Sequence, residues 1–160
     1  MDSKLRVPPH SQDAEKSVLG SILLDRDAVV AVVEFLKPEH FYEEKHQQIF
    51  AAVVDLYQTR EPVDIVTVSQ KMGGELEYLK DLVNSVPTAS HAAAYGHVVK
   101  DAYTKRMLIS TASKISDMAF DDDNSVKDIL DNADQKVFSL SQQHLSQVFV
   151  PVKDILAESF

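Results

Sequence analysis

The feature that most constrains the fold is a run of about thirty residues, 90–120, that contains no proline and a single glycine, Gly96. Apolar residues recur along it at helical spacing, which predicts one helix much longer than the average globular helix. An acidic turn follows at 121–124, and Ser125 with Asp128 resembles the capping box of a second long helix. Two long helices joined by a short polar turn predict an antiparallel hairpin. Because the hairpin cannot bury both of its faces alone, we expect it to associate with a partner.

Eight apolar residues of the hairpin are the candidates for its contacts. Some would line the internal seam between the two helices, and the others would contact a second copy of the chain. The sequence leaves open which residue does which. The eight are Met107, Leu108, Ile115, Met118, Ile129, Leu130, Val137 and Phe138.

Five shorter helices are predicted before the hairpin. Pro8-Pro9 requires an extended entry, and Ser11 is a candidate N-cap for the first helix, in which Gly20 indicates a close approach of another helix. Helical periodicity and the Pro and Gly breaks place the others near 26–36, after Phe41 with His46 on the apolar stripe, at 65–72 between a capping Asp64 and Gly73-Gly74, and near 75–86.

The chain is therefore predicted to be all-α, with four parts. These are an extended arm at 1–10, a helical globular head at 11–100, the hairpin at 101–141, and a polar linker at 142–160 that ends in the start of an amphipathic helix. That last helix is amphipathic, with Val152, Ile155, Leu156 and Phe160 on one side. Since it reaches the last residue without a C-cap, we expect the natural chain to continue.

Charge and composition exclude several function classes. The formal net charge is −9, and the basic residues are scattered, which argues against tight binding of DNA by this domain alone. Cysteine is absent, so disulfides and thiolate chemistry are excluded. Neither a signal peptide nor an apolar run of membrane-spanning length is found, and we expect a cytoplasmic protein.

The sequence offers little that could support catalysis. It has neither a G-x-x-x-x-G-K-[ST] nor a G-x-G-x-x-G motif, so no nucleotide cofactor is expected here. His40 and His46 are six residues apart, a poor spacing for a metal, and each is expected to be a packed or solvent-edge histidine. The acidic turn lacks the sixth-position glycine of a calcium loop. We therefore expect no catalytic, cofactor or metal site.

A collinear series of short motifs resembles one family. Pro8-Pro9-His10-Ser11, Ala14-Glu15 and 17–20 resemble the start of bacterial replicative DNA helicases of the DnaB type. The resemblance continues, in order, through Phe41-Tyr42, His46, Ile49-Phe50, Pro62-Val63-Asp64, Thr67-Val68, Tyr78-Leu79, Pro87-Thr88-Ala89, Tyr95 and Val98-Val99. It covers about residues 5–160 and departs at Gly73-Gly74, where the connection between the fourth and fifth helices looks contracted.

The resemblance implies an N-terminal, non-catalytic domain of a hexameric helicase. In the family, hairpins pair into dimers, and three dimers form a collar above six ATPase motor domains, which hold ATP and Mg²⁺. The collar docks the C-terminal domain of primase, and a helicase loader also acts on the hexamer. Residues 150–160 match the start of the linker helix that packs on a neighbouring motor domain.

Two other interpretations remain open from sequence. A free-standing helical adaptor, such as a helicase loader or another primosome-binding protein, would have the same helical pattern without a motor domain. A small helical enzyme could instead use His46 with nearby carboxylates. A reading frame that continues into a nucleotide-binding loop would exclude the adaptor, and full activity of His46→Ala would exclude the enzyme.

Overall fold

The computed structural model describes residues 6–145, which form seven α-helices and no strand. The helices are α1 (Gln12–Leu24), α2 (Arg26–Val33), α3 (Glu44–Gln58), α4 (Ile65–Met72), α5 (Leu76–Asn84), α6 (Ala92–Phe120) and α7 (Val126–Leu145), with a short 3₁₀ turn at Pro38–His40. The all-α prediction is confirmed. Contacts divide the chain into two compact units, Met1–Tyr103 and Thr104–Phe160, and α6 contributes to both.

The first unit packs α1 against α2, α3 and α5, while α4 contacts α3 and α5. Its core consists of aliphatic and aromatic side chains from all of these helices and from the first turns of α6. The largest fully buried apolar side chains are Phe41, Phe50, Leu19, Ile22, Ile49, Leu56, Leu79 and Leu82. Burial of these surfaces is what holds the short helices together, since helices of eight or nine residues are marginal alone.

Capping residues set most helix boundaries where the sequence predicts them. The Ser11 hydroxyl accepts a hydrogen bond from the Ala14 N–H (3.2 Å) and begins α1. Asp64 accepts from the backbone N–H groups of residues 66 and 67, each at 2.9 Å, and begins α4. Gly73 ends α4 in the left-handed conformation (φ 76°), which a residue without Cβ adopts without strain.

The close approach predicted at Gly20 is present. A Cβ atom added there would lie 2.4 Å from the Leu82 carbonyl oxygen and 2.4 Å from Val86 Cγ2. The α1 backbone therefore lies directly against the α5 backbone.

Three boundaries differ from the prediction, of which the smallest difference is that α5 ends at Asn84 rather than near Val86. The second helix was predicted to reach Leu36, but α2 ends at Val33, and the backbone turns so that the N–H groups of Phe35 and Leu36 both donate to the Val32 carbonyl. This turn puts Leu36 into the core although the helix has ended. At the other end of the chain, α7 continues to Leu145, through four residues that polar composition assigned to the linker.

The contracted connection between α4 and α5 contains three consecutive residues with positive φ. These are Gly73 (76°), Gly74 (153°) and Glu75 (72°). The first two are glycines, for which this conformation costs little, but Glu75 adopts it with a full side chain. The Glu75 carboxylate forms an ion pair with Lys45 of α3 (3.3 Å), which ties the tight loop to the neighbouring helix.

The second unit is a helical hairpin. Residues 104–120 of α6 and the whole of α7 are joined by a turn in which the Asn124 side-chain amide donates to the Met118 carbonyl (3.3 Å). Thr111 lines the same surface groove as residues 132–140, which places the two helices side by side and antiparallel. No residue of α7 is fully buried, so this unit has no closed core among the described residues.

Candidate interaction surface

The eight hairpin candidates fall into two groups by exposure. Met107, Ile115, Met118 and Ile129 are half-buried. The remaining four face outward, with exposed fractions of 45% for Leu108, 58% for Leu130, 45% for Val137 and 63% for Phe138. This exposure favours the first group for the seam of the hairpin, and the second group has no cover within the described unit.

Helical geometry places the outward residues of both helices on one side of the hairpin. An α-helix turns by about 100° per residue. Leu108 on α6, and Leu130 and Val137 on α7, each come one residue after a half-buried seam position, so each is rotated away from the seam in the same direction. When two antiparallel helices face each other, residues that are rotated from the seam in the same direction lie on the same side of the pair. Leu108, Leu130 and Val137 thus form one surface rather than two. Phe138 extends it around α7, since it lines the same groove as Val137. These four residues are called the outward apolar face.

The groove on the hairpin that is lined by both helices is polar. It is lined by Thr111, Asn132, Gln135, Lys136, Ser139 and Leu140. The polar residues among these are ordinary for a surface facing water, whereas a cluster of outward Leu, Val and Phe side chains is typical of a protein contact. The hairpin is therefore amphipathic as a whole.

Sequence reasoning missed four exposed apolar residues of the same unit. They are Ile109 (57%), Phe120 (86%), Val126 (72%) and Leu145 (43%). Val126 could have been found, because it lies one helical turn before Leu130. Phe120 lies at the end of α6, where the apolar stripe of the helix no longer predicts which side chains are buried. The predicted docking residues Val152, Ile155, Leu156 and Phe160 lie outside the described residues.

The first unit contains a buried polar chain that connects α1, α3 and α5. The Glu15 carboxylate accepts from the backbone N–H groups of Tyr42 (2.8 Å) and Glu43 (3.3 Å) and from His46 Nδ1 (2.7 Å). The other imidazole nitrogen, Nε2, lies 2.6 Å from the Tyr78 hydroxyl. Glu15 and His46 are each 1% exposed, and three donors offset the cost of burying the carboxylate.

The order carboxylate, imidazole, hydroxyl resembles a nucleophilic triad, but Tyr78 is poorly suited to act as a nucleophile. Burial of its ring raises the pKa of the Tyr78 hydroxyl, and the negative charges of Glu43, Glu15, Glu75 and Asp81 raise it further. A nucleophile needs its pKa lowered instead. We interpret the chain as a packing element in which the protonated hydroxyl donates to His46.

The histidines are satisfied, as the sequence predicts. His40 is buried, and its Nδ1 accepts from the Lys37 backbone N–H (3.0 Å). His46 forms two hydrogen bonds, one more than expected for a histidine on an apolar stripe. Among residues 6–145, no three His, Cys, Asp or Glu side chains are grouped as metal ligands would be.

Comparison with known proteins identifies the family. Residues 7–101 match the model of the DnaB-like helicase N-terminal domain. The chain belongs to this family. A replicative DNA helicase DnaB from Geobacillus stearothermophilus is 37% identical over 97% of the chain, and a replicative DNA helicase DnaC from Bacillus subtilis is 34% identical over 97%. The chain spans 36% of the length of each of these relatives, and it corresponds to the N-terminal domain rather than to the ATPase motor.

Solved structures agree with this assignment. The N-terminal domain of DnaB helicase from Mycobacterium tuberculosis superposes with a TM-score of 0.76 at 33% identity and covers 82% of this chain and 99% of that one. A DnaB-like replicative helicase, described with its interactions with primase, has a TM-score of 0.66 at 25% identity, over 81% of this chain and 31% of that one. Within the described residues, no helix is long and apolar enough to cross a membrane.

Proposed function

We propose that this chain is the non-catalytic oligomerisation and partner-docking domain of a hexameric replicative DNA helicase. Two copies pair through the outward apolar face of their hairpins, and three such dimers form a collar that docks primase. A helicase loader, motor domains that hold ATP and Mg²⁺, and a place in the bacterial cytoplasm belong to the same proposal. The relatives are named replicative helicases, which favours this function over a free-standing adaptor.

The observation that carries the proposal is the outward apolar face itself. Leu130 and Phe138 are 58% and 63% exposed on a hairpin without a closed core. Complete burial of a Leu or Phe side chain contributes roughly 1.5–3 kcal/mol. Several such side chains from each copy offset the entropic cost of association, so the dimer should form in a concentration-dependent way.

The pairing is tested by placing a charge on each face of the hairpin in turn. Leu130→Asp puts a carboxylate in the outward apolar face, and we expect it to weaken association at least about tenfold, equivalent to ~1.4 kcal/mol. Asn132→Asp is the matched control, since it puts the same charge on the polar face of the same helix, away from the groove that Val137 and Phe138 line. Sedimentation measures the mass, and circular dichroism confirms that both variants fold. Equal dissociation of the two variants would refute the assignment of the face.

Docking of primase is tested by calorimetric titration of a primase C-terminal domain into this chain. The solved helicase whose description includes primase supports this partner by its similarity to the chain. We expect saturable binding to the assembled wild type. If the docking surface is composed of more than one copy, binding should weaken in Leu130→Asp. Absence of heat at high concentrations of both proteins would remove primase from the proposal.

A further inference from the structure

A groove on the first unit has the chemistry of a binding site for an acidic segment. It lies between the start of α2 and the loop after α3 and has a volume of about 240 Å³. Its apolar lining includes Val29, which is fully buried, together with Tyr57 and Pro62. Arg26 and Arg60 also line it.

These arginines have no partner within the described part of the chain. The ion pairs found there between exposed side chains join Lys45 to Glu75, Lys71 to Asp55, and Lys80 to Glu77. The chain has four arginines in all, so half of them are at this one groove. Arginine is the side chain best suited to hold carboxylates, because it donates two parallel hydrogen bonds.

The backbone of Arg60 is held in an unfavourable conformation. Its φ is 59°, in the left-handed region, at the position after α3 where glycine is the usual residue. The Arg60 N–H donates to the Tyr57 carbonyl and the Glu61 N–H donates to the Leu56 carbonyl, which fixes the turn. A strained residue whose side chain stabilises nothing in its own fold is a candidate for a role in binding.

The tip of the hairpin has the complementary chemistry. Phe120 is 86% exposed, and Asp121, Asp122 and Asp123 follow it directly. The Asp121 carboxylate accepts from the Asp123 N–H within the turn (3.0 Å), which leaves the other two carboxylates to face water. A cavity of ~150 Å³ can hold benzene, so the groove has room for the ring of Phe120.

We propose that the groove of Arg26, Tyr57 and Arg60 receives the hairpin tip, 120–123, of a second copy of this chain. The Phe120 ring lies against Tyr57 and Pro62, and the carboxylates of Asp122 and Asp123 meet the two guanidinium groups. Surface ion pairs contribute little individually, so burial of Phe120 provides most of the affinity and the charges fix the orientation. The contact is separate from hairpin pairing and does not depend on the outward apolar face.

Other anions are poorer candidates for the groove. Nucleic acid would require a broad basic surface, but the chain has a net charge of −9. Glu61 also lines the groove and opposes any anion there, but the two arginines outnumber it. The apolar walls favour a ligand that pairs an aromatic side chain with carboxylates over a bare phosphate. The hairpin tip carries both groups within four residues.

The test mixes two charge-reversed variants, both carrying Leu130→Asp so that hairpin pairing does not mask the contact. One has Arg26→Glu with Arg60→Glu, and the other has Asp122→Arg with Asp123→Arg. Each variant alone brings like charges together. In the mixture, each groove meets a tip of opposite charge, and we expect association at least tenfold tighter than for either variant alone, weakening as salt is added. Sedimentation at low ionic strength measures it.

A matched control separates the groove from net charge. The control carries Lys80→Glu, Lys105→Glu and Lys114→Glu with Asp122→Asn and Asp123→Asn, in the Leu130→Asp background. Its net charge changes by −4, as in the reversed-groove variant, but its groove keeps the arginines and its tip lacks the two carboxylates that the other variant's groove would bind. If this variant mixed with the reversed-tip variant associates as tightly as the test mixture, general attraction explains the result and the proposal is wrong. A test mixture no tighter than its components overturns it as well.

A second variant tests Arg60 without the risk of unfolding. Arg60→Gly removes the charge and also relieves the left-handed backbone, so its melting temperature should be equal to or above that of the wild type. We expect association through the groove to weaken nonetheless. Unchanged association in Arg60→Gly would remove this arginine from the contact.

Discussion

At the scale of single residues, the Glu15 carboxylate is a buried charged group that depends on hydrogen-bond donors. Glu15 is 1% exposed, and its carboxylate is satisfied by two backbone N–H groups and His46. These donors come from the segment after the 3₁₀ turn and from α3. Because each donor would be left unpaired without the carboxylate, Glu15 fixes the position of α1 relative to α3.

Replacing this carboxylate by an amide of the same shape tests its role. Glu15→Gln puts a donor where an acceptor is needed, and we expect the free energy of unfolding to fall by about 1–3 kcal/mol. The matched control is Glu77→Gln, since the Glu77 side chain is 85% exposed, and it should change stability by less than ~0.5 kcal/mol. Urea denaturation measures both. Equal effects would mean that Glu15 is a solvated helix-end acid.

Tyr78 predicts a pH dependence of stability. Burial, and then the nearby carboxylates, raise the pKa of Tyr78 above its ordinary value of 10.0, so the folded state favours the neutral hydroxyl. The stability from this group is fully present below pH 10 and is lost as the pH rises through the folded pKa. Wild type should therefore lose more stability above pH 10 than Tyr78→Phe does. Parallel loss in urea titrations of the two proteins would contradict this.

The sequence indicated the packed state of His46 but not its partners. Helical periodicity places His46 on an apolar stripe, and a buried imidazole needs hydrogen bonds. Glu15 and Tyr78 are 31 and 32 positions away along the chain, and no local pattern connects them. By its place in the first turn of α1, Glu15 would be expected only to complement the helix dipole. The contact that gives it a second role exists only once three helices are packed.

At the scale of elements, local chemistry predicted the helices well and their packed ends less well. Asp64 and Gly73 begin and end α4 by their own side-chain and backbone properties, which are visible in sequence. The end of α2 is different, because Phe35 and Leu36 continue the apolar pattern after the helix has stopped. Tertiary burial of these two residues, rather than propensity, decides where that helix ends.

The contact between α1 and α5 can be tested at Gly20. Gly20→Ala adds a Cβ 2.4 Å from a backbone oxygen of α5, which cannot move without moving the helix. We expect a loss of ~1–3 kcal/mol in the free energy of unfolding. Gly96→Ala is a graded control, because its Cβ meets the ring of Phe35 at 2.8 Å, and a side chain can shift. Calorimetry should rank Gly20→Ala as the less stable; the reverse order would disprove the close backbone approach.

Within the hairpin, seam and outward positions should respond differently to truncation. Ile129 is half-buried in the seam, so Ile129→Ala should lower the thermal stability of the hairpin at any protein concentration. Val137 is 45% exposed, so Val137→Ala should act mainly on association and lose its effect on dilution. Thermal melts over a dilution series distinguish the two. If the melting temperatures of the two variants depended equally on concentration, the exposure of a residue in one chain would not distinguish seam contacts from contacts between chains.

At the scale of the whole molecule, the sequence predicted that the hairpin needs a partner but did not show which of its surfaces the partner contacts. An amphipathic pair of long helices has more apolar surface than it can cover, and this follows from periodicity alone. The division of the eight candidates into seam and outward residues depends on the rotation of one helix against the other. That rotation is set by contacts such as Thr111 beside the residues of α7, which no sequence pattern specifies.

The central claim, that this domain assembles through its hairpin, is tested most directly by its mass in solution. Sedimentation of the wild-type chain over a concentration series should show a monomer of 17.9 kDa converting to dimers or hexamers as concentration rises. Such a series would support a collar domain that pairs by its outward apolar face. A strict monomer at the highest concentration would contradict the account, since the exposed Leu, Val and Phe side chains would then have no partner of their own kind.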